Sequence, residues 1–412
     1  MRIVYLSASG QLGGAERCLL DVLQSVRQEE PGWSLTLVAS RQGPLLSHAA
    51  ALGVETRVLQ MPERIARLGD ATTPGRGRRL VGVMIRGLGA LTGLISYRRE
   101  LRALLKQLNP DVVHTNGYKM HIMGALSRPA RAALCWHLHD YASSRPLMSI
   151  AVKTFSRRCD AGIAVSRSVA TDVSPYWRGR GDIHVVLNAV DLETFQPDGP
   201  QLDLDALAGL PRPRAEVVRV GLVATMGRFK GHDVFLRAMA QLPPDAAVRG
   251  YVVGGSLYET HGSEWSMPAL RDLAHSLGLA DRVGFTGFVG APADAMRALD
   301  VVVHASTSPE PFGLVIAEAM ACGRAVITSA AGGAGEIVAS GIDALTCTPG
   351  SVDELAAAIT RLCGDAALRR RLGAAARAHA VRAFDRRRLG QALAPIYRDA
   401  AAGRGPGPKA AA

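Results

Sequence analysis

Residues 308–323 read SPEPFGLVIAEAMACG. Two glutamates, Glu310 and Glu318, bracket a proline, a glycine and an apolar run, and the segment closes on Gly323. The VVVHA that precedes it has the composition of a buried strand, and Pro309 and Pro311 enforce an extended turn. Leu314–Ala321 then reads as a helix. Gly313 allows close backbone approach at its start, and Gly323 stands where a helix C-terminus takes a left-handed residue. The unsatisfied N–H groups of Gly313, Leu314 and Val315 favour an anion. Glu310 lies just before that start and Glu318 about a turn and a half along the helix. Carboxylates accept hydrogen bonds from vicinal hydroxyls. One acid beside a sugar and one beside a ribose, with phosphate at the helix start, fits a nucleotide-sugar. Two other readings compete: acids on a solvated helix, and the acid/base pair of a glycoside hydrolase. The apolar flanks oppose the first, and an anion site at the helix start opposes the second.

Outward from this element, short apolar runs alternate with longer amphipathic ones, the signature of strands and helices in a parallel sheet. In the first half Arg2–Ser7, Ser34–Ala39, Asp111–His114, Ala133–His137, Ala161–Val165 and Val185–Leu187 read as strands, with a helix over Ala15–Val26. Asn188–Pro211 reads as a connector. The pattern restarts with strands at Val218–Ala224, Arg249–Val253, Val283–Thr286, Val301–His304 and Ala325–Thr328. The expected fold class is α/β: two doubly wound, Rossmann-like parallel-sheet domains facing a central cleft. The expected boundaries are 1–190 and 191–383, with a disordered tail over 401–412. In such sheets ligands bind outside the carboxyl ends of the strands, so the loops there should carry the chemistry.

The 412 residues are 48% hydrophobic and 20% charged, enough to bury two cores and too little charge for gross disorder. A net charge of +12 points to anionic partners: nucleotide phosphates, lipid headgroups or nucleic acid. Aromatics are only 5% and no nucleic-acid motif accompanies the charge, which argues against base stacking and nucleic-acid partners. The six cysteines form no CxxC pair, as expected of reduced, buried thiols in a cytoplasmic protein. The opening MRIVYLSASG has an apolar run of strand length only, and is read as lacking a secretory leader. Leu80–Tyr97 contains Arg86 and four glycines, making it a poor spanning helix.

Other constellations extend the site. In VGLVATMGRFKGHD (220–233), Arg228 and Lys230 follow a strand end in a glycine-punctuated loop. Two cations there would neutralise a diphosphate and stabilise its departure without a metal; an ordinary basic turn is the alternative. Gly13 and Gly14, before the first long helix, permit close approach to phosphate or sugar, although no GxGxxG fingerprint is present. His137, His139 and Asp140 stand at a strand end. Zinc is the rival reading, opposed by the lack of further ligands, whereas His139 could serve a sugar hydroxyl. In SAAGGAGEIV (329–338) the glycines are read as closing over a sugar pocket, and Glu336 suits a helix dipole. Between Arg64 and Lys106 stand ten cations and only Asp70 and Glu100, around an apolar run. This reads either as a segment docking on the inner face of an anionic membrane or as a solvated helix pair.

Assembled, these pieces resemble the retaining glycosyltransferases of family 4, which have the GT-B fold. The resemblance rests on GGAE at Gly13–Glu16, HD at His139–Asp140, AVS at Ala164–Ser166 and NAVD at Asn188–Asp191. It continues through KG at Lys230–Gly231, TGFV at Thr286–Val289, EPFGLVIAEAMACG at Glu310–Gly323 and GGAGEIV at Gly332–Val338. It implies that Glu310 contacts the donor sugar and Glu318 the ribose. Gly313 to Val315 would meet phosphate through backbone, with Phe312 among the donor-binding residues, and Lys230 would meet the diphosphate. His139 would lie near the reacting sugar, and Gly287, Phe288 and Val289 near the base. It also implies an acceptor-binding first domain, a donor-binding second domain, and a C-terminal helix at about 384–400 crossing back onto the first. The implied reaction is transfer of a sugar from a UDP- or GDP-sugar to a hydroxyl of a glycan or lipid-linked acceptor, as in polysaccharide or cell-envelope biosynthesis. It would need no cofactor and no bound metal. Thr225 stands where the family commonly has an arginine, and the loop Gly254–Trp265 is not common to the family. Two rivals remain: a nucleotide-sugar epimerase of the same architecture, and a non-catalytic binding protein for anionic ligands.

Overall fold

The computed structural model describes residues 1–63, 80–144, 146–213, 216–255 and 264–403, and for 80–92 and 146 the backbone alone. The arginines at 64, 67, 76, 78 and 79, most of the loop expected over 254–265 and the tail beyond 403 lie outside the described residues. The chain forms two compact units: Met1–Asn188 with the segment from Arg386 onward, and Ala189–Asp385.

The first unit contains β1 (Arg2–Ser7), α1 (Gly14–Glu29), β2 (Ser34–Ala39), α2 (Pro44–Ala51), β3 (Glu55–Val58), α3 (Leu80–Leu108) and β4 (Val112–Asn116). These are followed by α4 (Tyr118–Ser127), β5 (Ala133–Leu138), α5 (Pro146–Phe155), β6 (Ala161–Ala164), α6 (Arg167–Val173) and β7 (Ile183–Val185). The strands order as β3-β2-β1-β4-β5-β6-β7, all pairs parallel. The order reverses between β1 and β4, and it is at such a switch point that an open sheet opens a crevice for a ligand. The expected strand Asp111–His114 is found at Val112–Asn116, and just before it the Asp111 carboxylate accepts from the Arg2 N–H at 2.7 Å. The expected strand Val185–Leu187 is shifted to Ile183–Val185.

The second unit contains α7 (Leu204–Ala208), β8 (Val218–Val223), α8 (His232–Ala240), β9 (Val248–Val253), α9 (Met267–Ser276), β10 (Val283–Gly287), α10 (Pro292–Arg297) and β11 (Val301–His304). Then come α11 (Leu314–Ala321), β12 (Ala325–Ser329), α12 (Gly333–Glu336), β13 (Leu345–Cys347), α13 (Val352–Gly364) and α14 (Ala366–Ala383). Its sheet runs β10-β9-β8-β11-β12-β13, again all parallel, with the reversal between β8 and β11. The stretch read as a plain connector holds α7. Asp203 caps it by accepting from the Ala206 N–H at 3.0 Å, and Gly209 ends it at φ 67°.

The last helix, α15 (Arg387–Ala401), belongs to the first unit and packs on α1. Gly390 permits the approach: its N–H donates to Ser25 Oγ at 2.7 Å, and a Cβ there would lie 2.5 Å from the Ser25 carbonyl. Helix therefore extends to Ala401, the first residue of the expected tail. Among the described residues no helix is long and apolar enough to cross a membrane.

Both cores hold polar groups that fix the packing. In the second unit Asp205 is 1% exposed and accepts from Arg249 at 2.6 Å, Arg219 at 3.1 Å and the Tyr251 hydroxyl at 2.7 Å. Burial alone would raise its pKa; the tyrosine and the two guanidinium groups lower it instead. Arg297 is also buried and donates to the carbonyls of Pro200, Thr194 and Gln196 at 2.7, 3.1 and 3.3 Å, which fastens the connector to the unit. Buried histidines include His114, His121 and His137 in the first unit and His232 in the second. Burial pulls His114 down to about 3 and His232 to about 4, and holds His137 well below its ordinary value.

Two outcomes follow. Asp205→Ala leaves the half-buried Arg249 without its carboxylate and lowers the stability of the second unit by about 3 kcal/mol, whereas Tyr251→Phe costs about 1 kcal/mol; urea midpoints read both. The histidines are neutral when folded and take a proton near pH 6.5 when unfolded. Their contribution is complete above pH 6.5 and is lost as pH falls through the window down to about 4, at up to about 1.4 kcal/mol per pH unit per group. The urea midpoint should therefore drop from pH 7 to pH 5, and His232→Leu should flatten that drop for the second unit.

Candidate functional site

In the second unit the loops after β8 and β11 flank the sheet's switch point, and each delivers one partner of an ion pair whose carboxylate is buried and whose ammonium is half-buried. Lys230 Nζ bonds Glu310 Oε1, the carboxylate being 8% exposed as a residue. The loops are also tied through backbone, since the Thr307 N–H donates to the Phe229 carbonyl at 2.7 Å. Arg228–Lys230 forms a single 3-10 turn rather than an open loop.

Glu310 is held from behind as well. Ser306 Oγ donates to Oε1 at 2.7 Å, and His304 Nε2 lies 3.4 Å from the same oxygen. His304 Nδ1 in turn meets Thr328 Oγ1 at 3.0 Å. A chain of polar side chains thus runs from β12 through the end of β11 to the carboxylate. Burial pushes the Glu310 pKa up, but the Lys230 ammonium and the His304 ring hold it well below the usual carboxylate range, so it is an anion at neutral pH. The backbone of Glu310 is bound on both sides: its N–H donates to the Ala331 carbonyl at 3.2 Å, and its carbonyl accepts from Gly333 at 2.7 Å. Gly333 has to be glycine, because a Cβ would lie 2.0 Å from the Pro311 carbonyl. The GGAGE turn therefore supports the Glu310 loop directly.

α11 begins after Gly313, which is in the left-handed region at φ 91° and offers no side-chain cap. The positive φ itself calls for glycine here. The first N–H groups of α11 have no intrahelical acceptor. Leu314 and Val315 are half-buried at that start, and Glu318 is half-buried one turn on. Gly323 follows the helix at φ 67°, the left-handed residue its C-terminus takes. The Phe312 ring is 3% exposed and stands edge-on to Phe384 at 5.9 Å, so the side chain anchors the loop and its backbone is what it could offer a ligand. Gly287 ends β10, and its carbonyl accepts from the Gly254 N–H at 3.0 Å. Beside it Phe288 is 63% exposed, an aromatic face open to a planar ligand, and Val289 is half-buried. Arg228 is exposed, with its guanidinium 4.1 Å from the centre of the Trp265 ring.

The remaining residues lie in the first unit, at the carboxyl ends of β1, β4 and β5. Gly13 precedes α1, and a Cβ on Gly14, its first residue, would meet nothing within 4 Å. His139 follows β5; its Nε2 is buried without a hydrogen-bond partner, and burial pulls the ring down to about 4. It is a neutral imidazole at pH 7, able to accept or donate. The Tyr118 hydroxyl fixes the following residue by donating to the Asp140 carbonyl at 2.9 Å. Among the described residues no group of three His, Cys, Asp or Glu side chains is placed to hold a metal ion. Sequence reasoning missed Glu16, whose pKa burial raises, with the Asp140 charge adding to the effect. It also missed His304, Ser306 and Thr328. For the first two a signal existed: they stand two apart at a strand end and so face the same way.

Two family models match the chain, Glycosyltransferase Family 4 over residues 12–194 and Glycosyl transferases group 1 over 214–379. A D-inositol 3-phosphate glycosyltransferase of Nocardiopsis dassonvillei is 36% identical over 229 residues, 54% of this chain and 52% of that protein. The same-named protein of Mycobacterium ulcerans is 40% identical over 183 residues, 44% of this chain and 37% of that one. The chain thus matches about half the length, or less, of these curated relatives. Among solved structures, Anabaena HepE in complex with UDP and glucose is 26% identical with a TM-score of 0.77, covering 97% of this chain and 99% of its own. Sucrose-phosphate synthase of Thermosynechococcus elongatus is 22% identical with a TM-score of 0.75 over 97% of this chain and 98% of its own, a likeness of fold alone. With one model on each half of its length and two parallel sheets that match GT-B structures, the chain belongs to glycosyltransferase family 4 and has the GT-B fold.

Proposed function

We propose that this glycosyltransferase moves a hexose from a nucleotide-sugar to an acceptor hydroxyl with retention of anomeric configuration. The observation that carries this reading is the Lys230–Glu310 pair at the switch point, beside the open start of α11. Glu310 would accept hydrogen bonds from the donor sugar's hydroxyls and Glu318 from the ribose. The diphosphate would lie between them, on the first N–H groups of α11 and the Lys230 ammonium. UDP is the favoured nucleotide, because the structurally similar HepE, 26–28% identical, has been captured with UDP and with UDP-glucose. A phosphorylated polyol is the first acceptor to try, since the curated relatives are named for D-inositol 3-phosphate.

In the proposed reaction the bond between the anomeric carbon and the β-phosphate oxygen breaks. The acceptor oxygen bonds to that carbon on the same face, and its proton passes to the departing phosphate oxygen. Charge builds on the diphosphate as it leaves. Lys230, Arg228 and the helix start are cationic or dipolar groups positioned to meet that charge, which supports a reaction that needs no bound metal. His139 would orient the reacting sugar or the acceptor as a neutral imidazole.

The membrane reading concerns the first unit. Ile95 on α3 and Leu147 and Ile150 on α5 are exposed apolar side chains at 42%, 75% and 62%. Arg99, Arg102 and Lys106 on α3 and Lys153 on α5 are exposed cations, and both helices pack against α4. We propose that this face docks on anionic lipid from the cytoplasmic side.

Three results test these statements. Slow release of UDP from UDP-glucose in the presence of EDTA, absent with other nucleotide-sugars, is expected; strict dependence on added divalent metal overturns metal independence. Lys230→Ala should lower kcat by roughly 100- to 1,000-fold, and Glu318→Ala should weaken UDP binding about 10- to 100-fold, with unchanged binding removing the ribose assignment. Co-sedimentation with vesicles containing phosphatidylglycerol should occur at low salt and vanish for Leu147→Ser/Ile150→Ser; absence of wild-type binding rejects the membrane face.

A further inference from the structure

The geometry points to Trp265 as the residue that positions Arg228 for the donor diphosphate, a role that rests on the functional reading above. The loop after β8 carries two cations, Arg228 and Lys230, with the neutral Thr225 nearer the strand end. They are not equivalent. The charge of Lys230 is already matched by the buried Glu310 carboxylate. Arg228 has no carboxylate or carbonyl acceptor among the described residues, and its side-chain contact is with the Trp265 ring, 4.1 Å from the centroid. A guanidinium held over an aromatic ring by cation–π attraction spends no N–H donor on that contact and keeps its donors for another ligand. Arg228 is thus held in place with its hydrogen-bonding fork uncommitted, two residues from Lys230.

The residue that holds it is anchored through its backbone and by packing. The backbone N–H of Trp265 donates to the Met226 carbonyl at 2.7 Å, and Glu264 pairs with Gly227 in an antiparallel bridge, while the indole Nε1 is buried with no hydrogen-bond partner among the described residues. The indole is half-buried and packs against the second unit's hydrophobic core. Trp265 is followed by Ser266, which caps α9 by accepting from the Ala269 N–H at 3.2 Å. Backbone, core and helix cap together fix the platform, so an exposed arginine that would otherwise sample many rotamers is presented in one orientation. A diphosphate arriving beside the neutralised Lys230–Glu310 pair would draw its additional positive charge from Arg228. Trp265 then acts through Arg228 on phosphate and has no contact with base or sugar.

The test is calorimetric binding of UDP and UMP to the full chain, with Arg228→Ala, Arg228→Lys, Trp265→Phe, Trp265→Leu and the Arg228→Ala/Trp265→Leu double variant. Trp265→Phe keeps an aromatic face and should bind UDP within about twofold of wild type. Trp265→Leu should bind UDP about fivefold more weakly and UMP nearly unchanged, so that the UMP/UDP ratio falls. The double variant should be no weaker than Arg228→Ala alone, because the two residues form one device. Arg228→Lys keeps the charge and loses the planar guanidinium. It should resemble Trp265→Leu, and it gives the same reading if that variant fails to fold. An unmoved UMP/UDP ratio in Trp265→Leu and Arg228→Lys, or losses that add in the double variant, would overturn the proposal while leaving the donor site intact. Wild-type protein that binds no nucleoside diphosphate would overturn the functional reading and the proposal with it.

Discussion

The second unit depends on a constraint that its sheet imposes. When a parallel sheet reverses its strand order, the chains leaving the two central strands turn to opposite faces, and a gap opens at their carboxyl ends. Here the gap is bridged by one ion pair, Lys230 from the loop after β8 and Glu310 from the loop after β11. A buried pair stabilises only if its remaining hydrogen-bonding capacity is filled. The surroundings of Glu310 meet that requirement: Ser306 and His304 approach the carboxylate, and Ala331 and Gly333 satisfy the backbone. The same groups that offset the cost of desolvation fix the direction of the carboxylate. Stability of the loop and precision of the site are therefore one arrangement.

Much of this was legible in the residues. The apolar VVVH run, the two prolines, the eight-residue helix and the terminal Gly323 each obey a local rule, and Leu314–Ala321 is helical with the bounds its sequence implies. The strands that went unread, β3 and β13, are short edge strands of four and three residues. The first is mostly exposed, with the sequence ETRV, and carries no apolar period to detect. Helix α7 was readable from Asp203 and Gly209, a cap at each end, but five residues are too few for a period to stand out in a proline-containing connector.

Within the site, residue types were easier to read than partners. Lys230 and Glu310 stand 80 positions apart, and no local pattern says that they meet. Only the strand order brings their loops together. Phe312 illustrates the converse. Its place between proline and glycine reads as part of a ligand loop, but Phe384, which buries its ring, lies 72 positions on, beyond the reach of local reasoning. Trp265 entered the sequence reading only as the end of the unusual loop Gly254–Trp265, because no local pattern says that an isolated tryptophan meets Arg228.

The Lys230–Glu310 pair also limits what single substitutions at this site can mean. Removing Lys230 leaves Glu310 as a buried, uncompensated charge, and removing Glu310 leaves a half-buried ammonium without its partner, so the measured loss contains a desolvation cost besides any lost ligand contact. A lysine that faced only phosphate would lose phosphate contacts alone. This lysine, once removed, also releases the carboxylate from its most favourable neighbour and lets its pKa rise from a value that the pair holds down. The sugar-facing and phosphate-facing parts of the proposed site are thus thermodynamically one group. Arg228 stands outside that coupling, because its side chain rests on an aromatic face rather than on a carboxylate. Of the two cations on the loop, it is the one whose interaction with phosphate is separable from the integrity of the site.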